Sequence, residues 1–256
     1  MICLEAMTFG YGERLVFERF SWEVRRGEIW AILGPSGCGK STLLLLLAAL
    51  LHPQAGTIRI EGRTWERPRP RTGLILQDYG LLPWATVREN AALGLRIRRF
   101  YGPDGRHAPR DMATADLDRR VGYWLERLGI DALAGAYPAQ LSGGQRQRTA
   151  IARTFALEPD LLLMDEPFSA LDAPTRESLQ ELTLALCAER GVTALLVTHA
   201  IEEAAFVGQR ILLLGEPPNR RATIIENPHA PTPDYRTHPD YRRTVAELRR
   251  RLEVFR

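Results

Sequence analysis

Nine consecutive residues, Gly34 to Thr42, combine glycines, a lysine and hydroxyls at a spacing that suits a polyphosphate. The run GPSGCGKST fits the pattern G-x-x-x-x-G-K-[ST], in which glycines let backbone N–H groups converge on an anion. Lys40 is expected to reach the β- and γ-phosphates, and the hydroxyl of Ser41 is expected to ligate Mg²⁺. The predicted phosphate-binding residues are Gly34, Pro35, Ser36, Gly37, Cys38, Gly39, Lys40, Ser41 and Thr42.

The segments on either side of this loop have the pattern that such a loop requires. Glu28 to Leu33 is a short apolar run that predicts a buried strand, and Leu43 to Leu51 predicts a buried helix. A helix N-terminus carries partial positive charge, which adds to the attraction for phosphate. Because Cys38 lies close to that helix end, we expect its thiol pKa to be lowered and nucleotide to protect it from thiol reagents.

A pair of carboxylates follows another apolar run. Leu161 to Met164 predicts a buried strand and leads directly into Asp165 and Glu166. At such a strand end Asp165 can hold Mg²⁺ through water beside Ser41, and Glu166 can polarise a water for attack on a terminal phosphate. Without the phosphate loop upstream, the same pattern would indicate only a strand end with solvated acids.

The run Leu141-Ser142-Gly143-Gly144-Gln145 has the features of a second phosphate cradle. Ser142 is of a type that caps helices, and the two glycines leave N–H groups open to an anion at the start of a helix predicted over Gln147 to Leu157. This LSGGQ run resembles the signature of the nucleotide-binding subunits of ATP-binding cassette (ABC) transporters. The resemblance extends from Ile2 to about Leu214 and includes the runs LSGGQRQRTAIAR and DEPFSALD.

The resemblance implies ATP and Mg²⁺ as cofactors and suggests roles at the matching positions. Glu166 would activate water, Gln77 would sense Mg²⁺ and that water, and His199 would contact the γ-phosphate. Tyr11 would stack on adenine, and the segment that ends at Asp172 would cross a dimer interface. The expected catalytic residues are Glu166, His199 and Gln77; the metal-binding residues are Ser41, Gln77 and Asp165; and the nucleotide-binding residues outside the loop are Tyr11, Ser142, Gly143, Gly144, Gln145 and Asp172.

The resemblance further implies a head-to-tail homodimer. Each ATP would lie between the phosphate loop of one subunit and the Ser142 to Gln145 turn of the other, because neither cradle alone surrounds the γ-phosphate. ATP would join the two copies and hydrolysis would release them, so that the cycle drives a partner.

The alternation of predicted strands and helices indicates an α/β fold. From Leu161 onward strands alternate with helices, which implies a parallel sheet covered by helices, whereas Thr86 to Ala156 is helical in pattern. The resemblance implies a RecA-like P-loop core with a mostly parallel sheet, an antiparallel β subdomain at the N-terminus and a helical insert subdomain. We therefore expect an ATPase domain over 1–215, with its core at 1–85 and 157–215 and the helical subdomain at 86–156, followed by a tail over 216–256.

Several shorter patterns make local predictions. Phe9 to Gly12 is expected to form a turn with exposed aromatics, and Phe100 to Arg110 an exposed loop. Thr86 and Glu89 form a capping-box pair. A terminal helix predicted from Asp240 would pack an apolar face on the core and leave a basic side in solvent; contact of that side with acidic lipid headgroups is the alternative.

Composition excludes several classes of protein. The chain has 256 residues, of which 45% are hydrophobic and 25% charged, as is typical of a soluble globular protein. A net charge of +3 does not call for nucleic acid as a partner, and three well-separated cysteines predict reduced thiols rather than a disulfide framework. We expect no signal peptide, and the longest apolar run is far below the about 20 residues that span a bilayer, so any membrane role would require a partner.

The apolar run Leu81-Leu82-Pro83-Trp84 offers an edge for a partner helix, although packing inside the helical insert would explain it equally. The longer run LLPW-x-TV-x-EN is similar to an importer subgroup that handles nitrate, taurine, alkanesulfonates and related solutes. We therefore expect a peripheral ATPase on the cytoplasmic face of the inner membrane, with integral membrane permease subunits and, indirectly, a solute-binding protein as partners. A soluble cassette ATPase in DNA repair, ribosome work or iron–sulfur assembly is the alternative. A nucleotide kinase is a third possibility, against which LSGGQ argues.

Overall fold

The computed structural model describes residues 1–101, 114–232 and 234–253 of the chain. These residues divide into two compact units. Unit 1 comprises Met1–Pro68, Leu163–Glu166 and Leu184–Arg256, and unit 2 comprises Arg69–Leu162 and Pro167–Thr183. The domain boundaries expected at 85/86, 156/157 and 215/216 remain predictions.

The strands are β1 Ile2–Tyr11, β2 Arg14–Val24, β3 Ile29–Leu33, β4 Ala55–Ile60, β5 Thr72–Ile75, β6 Leu161–Asp165, β7 Thr193–Thr198, β8 Arg210–Leu213 and β9 Thr223–Glu226. The α-helices are α1 Lys40–Leu47, α2 Val87–Tyr101, α3 Thr114–Arg127, α4 Gly143–Phe155, α5 Ala173–Arg190, α6 Ile201–Val207 and α7 Pro239–Glu253. Short 3₁₀ turns cover Asp131–Leu133, Pro138–Gln140 and Tyr235–Thr237.

Unit 1 contains an antiparallel sheet in the order β2-β1-β4. The predicted turn over Phe9 to Gly12 is wrong, because β1 continues to Tyr11 and the chain reverses at Gly12 and Glu13. Phe9 faces Phe17 across the hairpin and is buried, so its aromatic ring fills the sheet interior. Gly12 has φ of +59°, which lets the reversal fit into two residues.

Unit 1 also contains a mostly parallel sheet, as expected, in which the order runs β6-β7-β3-β8-β9. Strand β3 pairs in parallel with both β7 and β8, and all five of its residues are buried. Fully buried parallel strands of this kind require apolar residues on both faces, which explains the continuous run at Ile29–Leu33. Because parallel strands end at the same edge, the segments that follow β3, β6 and β7 emerge together there.

The tail extends this sheet, which the sequence did not predict. Strand β9 pairs antiparallel with β8, and α7 packs Tyr241, Val245, Leu248 and Leu252 against a core cluster of unit 1. The predicted packing of the terminal helix is thereby confirmed. Arg242 and Arg250 on its other side are exposed, as expected for a solvated basic side.

Unit 2 contains the strand β5 and the helices α2, α3 and α4. The capping pair is confirmed: the Thr86 backbone N–H donates to Glu89 Oε2 at 2.8 Å, and the Glu89 N–H donates to Thr86 Oγ1 at 3.3 Å. The predicted loop from Phe100 begins too early, since α2 continues through Tyr101. Residues 102–110 of that prediction lie outside the described residues.

Candidate functional site

The predicted phosphate-binding loop connects β3 to α1 in a tight curve that only glycine permits at two points. Gly39 has φ of +105°, and a Cβ there would lie 2.5 Å from Val16 Cγ1. A Cβ on Gly34 would lie 2.4 Å from the Leu214 carbonyl oxygen. Glycine is therefore required at both positions, because the loop packs too closely on Val16 and on the Leu214 carbonyl to admit a side chain.

Lys40 lies within this curve. Its ammonium group is nearly buried and donates to the carbonyl oxygens of Gly34 at 2.8 Å and Pro35 at 2.9 Å. A lysine held by neutral carbonyls rather than by a carboxylate keeps its charge available to an incoming anion. Of the other predicted loop residues, Ser36, Gly37 and Ser41 are exposed and Thr42 is half-buried.

The expected low pKa of Cys38 is wrong. The side chain is 1% exposed, and burial raises the pKa of its thiol above the ordinary value, although the Lys40 ammonium acts in the opposite direction. Desolvation of the thiolate outweighs the attraction of one cation whose bonds go mainly to backbone carbonyls. Cys38 is thus a packed thiol that braces the loop from within.

Asp165 ends β6 and Glu166 follows it directly, as predicted. The Asp165 carboxylate is hydrogen-bonded to the Ser41 side chain, and burial raises its pKa while that bond partly offsets the rise. A hydroxyl and a carboxylate side by side are the ligand types that Mg²⁺ takes from a protein when phosphate oxygens and water supply the others. Within the described residues, no group of three or more His, Cys, Asp or Glu side chains could hold a metal alone.

Glu166 and His199 form a pair next to these groups. His199 Nδ1 lies 3.0 Å from Glu166 Oε1, and the Glu166 N–H donates to the Val197 carbonyl at 3.0 Å. Glu166 has φ of +44°, a left-handed conformation that is uncommon for a non-glycine residue and common at functional sites. The side chain of His199 is 63% exposed, so an external group can reach the pair.

Tyr11 presents an open aromatic face in the same unit. Its side chain is 52% exposed, and its hydroxyl lies 3.4 Å from Thr42 Oγ1 at the start of α1. Phe9 supports the ring from the edge at a centroid distance of 5.1 Å. Unit 1 thus brings together the phosphate loop, Tyr11, Asp165, Glu166 and His199.

The predicted second cradle lies in unit 2 at the start of α4. Ser142 caps this helix: the Gln145 N–H donates to Ser142 Oγ at 3.3 Å, and the Ser142 N–H donates to Gln145 Oε1 at 2.8 Å. Because this reciprocal cap starts the helix at Gly143, the predicted start at Gln147 is wrong. The first-turn glycines therefore belong to the N-terminal turn of a 13-residue helix, whose dipole favours an anion.

Tight packing explains why both glycines are needed in this turn. A Cβ on Gly143 would lie 3.1 Å from Leu171 Cδ2, and one on Gly144 would lie 2.7 Å from Thr175 Cγ2. Asp172, between these two neighbours, directly precedes α5 and accepts a hydrogen bond from the Thr175 N–H at 3.4 Å. The residues predicted to cross a dimer interface thus lie next to the signature turn.

Gln77 is exposed in the turn after β5, also in unit 2. The residues that follow it are held by α4: Arg153 donates to the carbonyl oxygens of Tyr79 at 2.7 Å and Gly80 at 2.5 Å. Arg146, seven residues earlier on the same helix face, lies over the Tyr79 ring at 6.0 Å. Arg153 was not predicted, although its seven-residue spacing from Arg146 was visible in the sequence.

Comparisons with known proteins show what this chain is similar to. Residues 17–169 match the family model described as ABC transporter. The chain is 42% identical over 220 residues to the taurine import ATP-binding protein TauB of Pseudomonas aeruginosa, covering 84% of this chain and 79% of that protein. It is 41% identical over 214 residues to the nitrate import ATP-binding protein NrtC of Synechococcus elongatus, covering 82% of this chain and 30% of that protein. It is 39% identical over 243 residues to the bicarbonate transport ATP-binding protein CmpC of the same organism, covering 93% of this chain and 35% of that protein.

A solved structure is similar as well. The ATP-binding cassette MJ0796, a dimer in a post-hydrolysis state bound to ADP and Pi, aligns with a TM-score of 0.75 at 30% identity, covering 89% of this chain and 99% of that one. In the residues that the structure describes, no helix is both long and apolar enough to cross a membrane.

Proposed function

Because the chain belongs to the ABC transporter family, we propose that it is the ATP-hydrolysing subunit of an importer for a small solute of the taurine, nitrate or bicarbonate type. The observation that carries this proposal is the set of Lys40, Ser41, Asp165, Glu166 and His199 around one phosphate loop. The importers named among the relatives favour transport over the alternative of a soluble cassette ATPase.

The chemistry follows from the positions of these side chains. The loop N–H groups and Lys40 bind the β- and γ-phosphates and stabilise the charge that develops during phosphoryl transfer. Ser41 and Asp165 would hold Mg²⁺, which neutralises negative charge on the phosphate oxygens when bound. Glu166 accepts the proton of the attacking water, and His199, 3.0 Å away, orients that carboxylate and contacts the γ-phosphate.

We propose that two copies of the chain complete each site. The capped Ser142 turn of one copy would close on the γ-phosphate held by the loop of the other, with Asp172 at the interface. The helix N-terminus at Gly143 and the exposed Ser142 side chain suit this contact with an anion. Support comes from the similar MJ0796 cassette, which is a dimer with ADP and Pi.

The permease contact is proposed at the Leu81 to Trp84 segment. Trp84 is 74% exposed, whereas the turn that carries it is anchored by the fully buried Asn90. Asn90 Oδ1 accepts from the Leu82 N–H at 2.8 Å, and Nδ2 donates to the Ala85 carbonyl at 2.9 Å. An exposed indole on a rigid turn is typical of an interface anchor. Membrane permease subunits would thus hold the ATPase peripherally at the cytoplasmic face of the inner membrane, with an extracytoplasmic solute-binding protein acting through them.

Reconstitution tests this proposal. Vesicles that contain the chain together with a permease and a solute-binding protein of this importer class should take up one solute of the class when ATP is supplied. Lys40→Ala should abolish uptake, and Trp84→Ala should lower it while ATP binding is retained. ATP hydrolysis without uptake of taurine, alkanesulfonates, nitrate or bicarbonate would contradict the importer assignment.

A further inference from the structure

Asn219 lies in the proline- and arginine-rich segment between β8 and β9, yet it is only 6% exposed. Its backbone pairs with β2 on both sides: the Asn219 N–H donates to the Val16 carbonyl at 2.9 Å, and the Glu18 N–H donates to the Asn219 carbonyl at 3.0 Å. This part of the predicted tail over 216–256 is therefore held in the interior of unit 1.

The side chain of Asn219 connects this segment to the phosphate loop. Nδ2 donates to the Cys38 carbonyl at 2.8 Å and to the Val16 carbonyl at 3.3 Å, and Oδ1 accepts from the Gly215 N–H at 2.9 Å. A backbone N–H can only donate and a carbonyl can only accept. These three partners therefore allow one orientation of the amide.

The bond to Cys38 has a directional consequence. A trans peptide is planar, and its C=O and N–H point in opposite directions. Because Asn219 draws the Cys38 carbonyl towards the buried side, the N–H of Gly39 points away from Asn219, towards the open side of the loop. We propose that Asn219 is a positioning residue for phosphate binding, which aims the Gly39 N–H at the phosphates of the nucleotide.

In these buried surroundings, the orientation of the Cys38–Gly39 peptide depends on a hydrogen-bond donor to the Cys38 carbonyl. Cys38 is 1% exposed, so its carbonyl would lose a partner that water cannot easily replace if the Asn219 amide were removed. The same segment also packs closely on the start of the loop: a Cβ added to Gly34 would lie only 2.4 Å from the Leu214 carbonyl oxygen. The residues after β8 therefore brace the loop at two points. This inference rests on the nucleotide binding proposed above.

Asn227 provides a matched control within the same part of the chain. It is 2% exposed, and its Nδ2 donates to the carbonyls of Ala205 at 2.8 Å and Gly208 at 2.7 Å. Like Asn219, Asn227 is a buried amide that donates to two carbonyls, but these carbonyls belong to α6 and to the residue after it. Loss of either amide should destabilise the fold, whereas only loss of the Asn219 amide should affect the phosphate loop.

The experiment compares Asn219→Ala, Asn219→Asp, Asn227→Ala and Lys40→Ala in the full chain. Dissociation constants for ATP and ADP and the melting temperature are measured for each variant, together with KM and kcat for ATP hydrolysis. Asn219→Ala should weaken ATP and ADP binding about tenfold, the scale of one buried hydrogen bond, and raise KM with little change in kcat. Asn219→Asp should weaken binding further, because it sets a carboxylate against the Cys38 carbonyl. Asn227→Ala should bind ATP within about twofold of wild type.

Each outcome separates this inference from the proposed function. If Lys40→Ala abolishes ATP binding but both Asn219 variants bind like Asn227→Ala, the inference fails and the proposed function stands. If wild type does not bind ATP, the proposed function fails. Asn219→Asp keeps the volume and the acceptor for Gly215, so it carries the test if Asn219→Ala does not fold. If neither folds, Asn219 is structural and the inference is wrong.

Discussion

Glu166→Gln tests the assignment of the catalytic base, because it replaces one carboxylate oxygen with an amide and changes little else. Glutamine keeps the volume, and its oxygen can still face His199 Nδ1 at the 3.0 Å now observed. The left-handed backbone at φ of +44° is equally uncommon for both residues, so this strain cancels in the comparison.

The expected effects on turnover and on stability differ in size. Loss of a general base costs about 10²-fold in turnover or more, which is about 2.7 kcal/mol of barrier. Because the His199 side chain of this pair is 63% exposed, water screens its interaction with Glu166, and such a screened pair stabilises a fold by about 0–1 kcal/mol. We therefore expect a large loss of turnover with a nearly unchanged free energy of unfolding.

Two assays on the same preparation check this expectation. Phosphate release at saturating ATP and Mg²⁺ gives turnover, and guanidinium titration gives the free energy of unfolding. Glu226→Gln is the control: it alters a 62% exposed carboxylate paired with Arg210 on β8, and it should leave turnover unchanged. Turnover of Glu166→Gln within about threefold of wild type, or a loss matched by weaker folding, would refute the reasoning.

Three further predictions follow from single side chains. Tyr11→Ala should raise KM for ATP about tenfold with little change in kcat, because a stacked base contributes about 1–3 kcal/mol to binding. Tyr11→Phe keeps the ring and should resemble wild type. An unchanged KM in steady-state assays of Tyr11→Ala would contradict stacking on adenine. Because burial raises the pKa of the Cys38 thiol, its alkylation rate, followed by mass spectrometry, should still rise above about pH 8.5, and a plateau below that pH would contradict the shift. Arg153→Met should destabilise the fold by about 1–3 kcal/mol in guanidinium titrations. The loss should exceed that of Arg148→Met, because Arg153 donates to two carbonyls and Arg148 to one. Equal losses would show that the two bonds of Arg153 add no stability beyond one.

Much of the fold and of the site could be predicted from residues that lie close together in the sequence. The phosphate loop, the capping pair at Thr86 and the serine cap at Ser142 depend on residues three to eight positions apart, so their spacing is visible in the sequence. The continuous apolar run of β3 likewise indicated a buried strand. In each of these features, composition, periodicity and hydrogen bonding indicate the same local structure.

Features that depend on distant residues could not be predicted in this way. The side-chain bond from Asn219 to Cys38 joins residues 181 positions apart, and neither residue shows a pattern that announces it. The error over the Cys38 thiol has the same origin, because the helix end is a local signal whereas burial is set by the whole of unit 1. Strand β9 was not predicted, because its four residues do not indicate a strand by themselves and form one through pairing with β8.

The central claim is that ATP joins two copies of this chain. Sedimentation of Glu166→Gln with ATP and Mg²⁺ measures it directly, because this variant should hold ATP without hydrolysing it. We predict a species of twice the 28.9 kDa chain mass with ATP and a single chain with ADP, and Ser142→Arg in the same background should bind ATP but stay a single chain. A single chain at every ATP concentration, or an ATP-dependent dimer of the Ser142→Arg variant, would contradict the account.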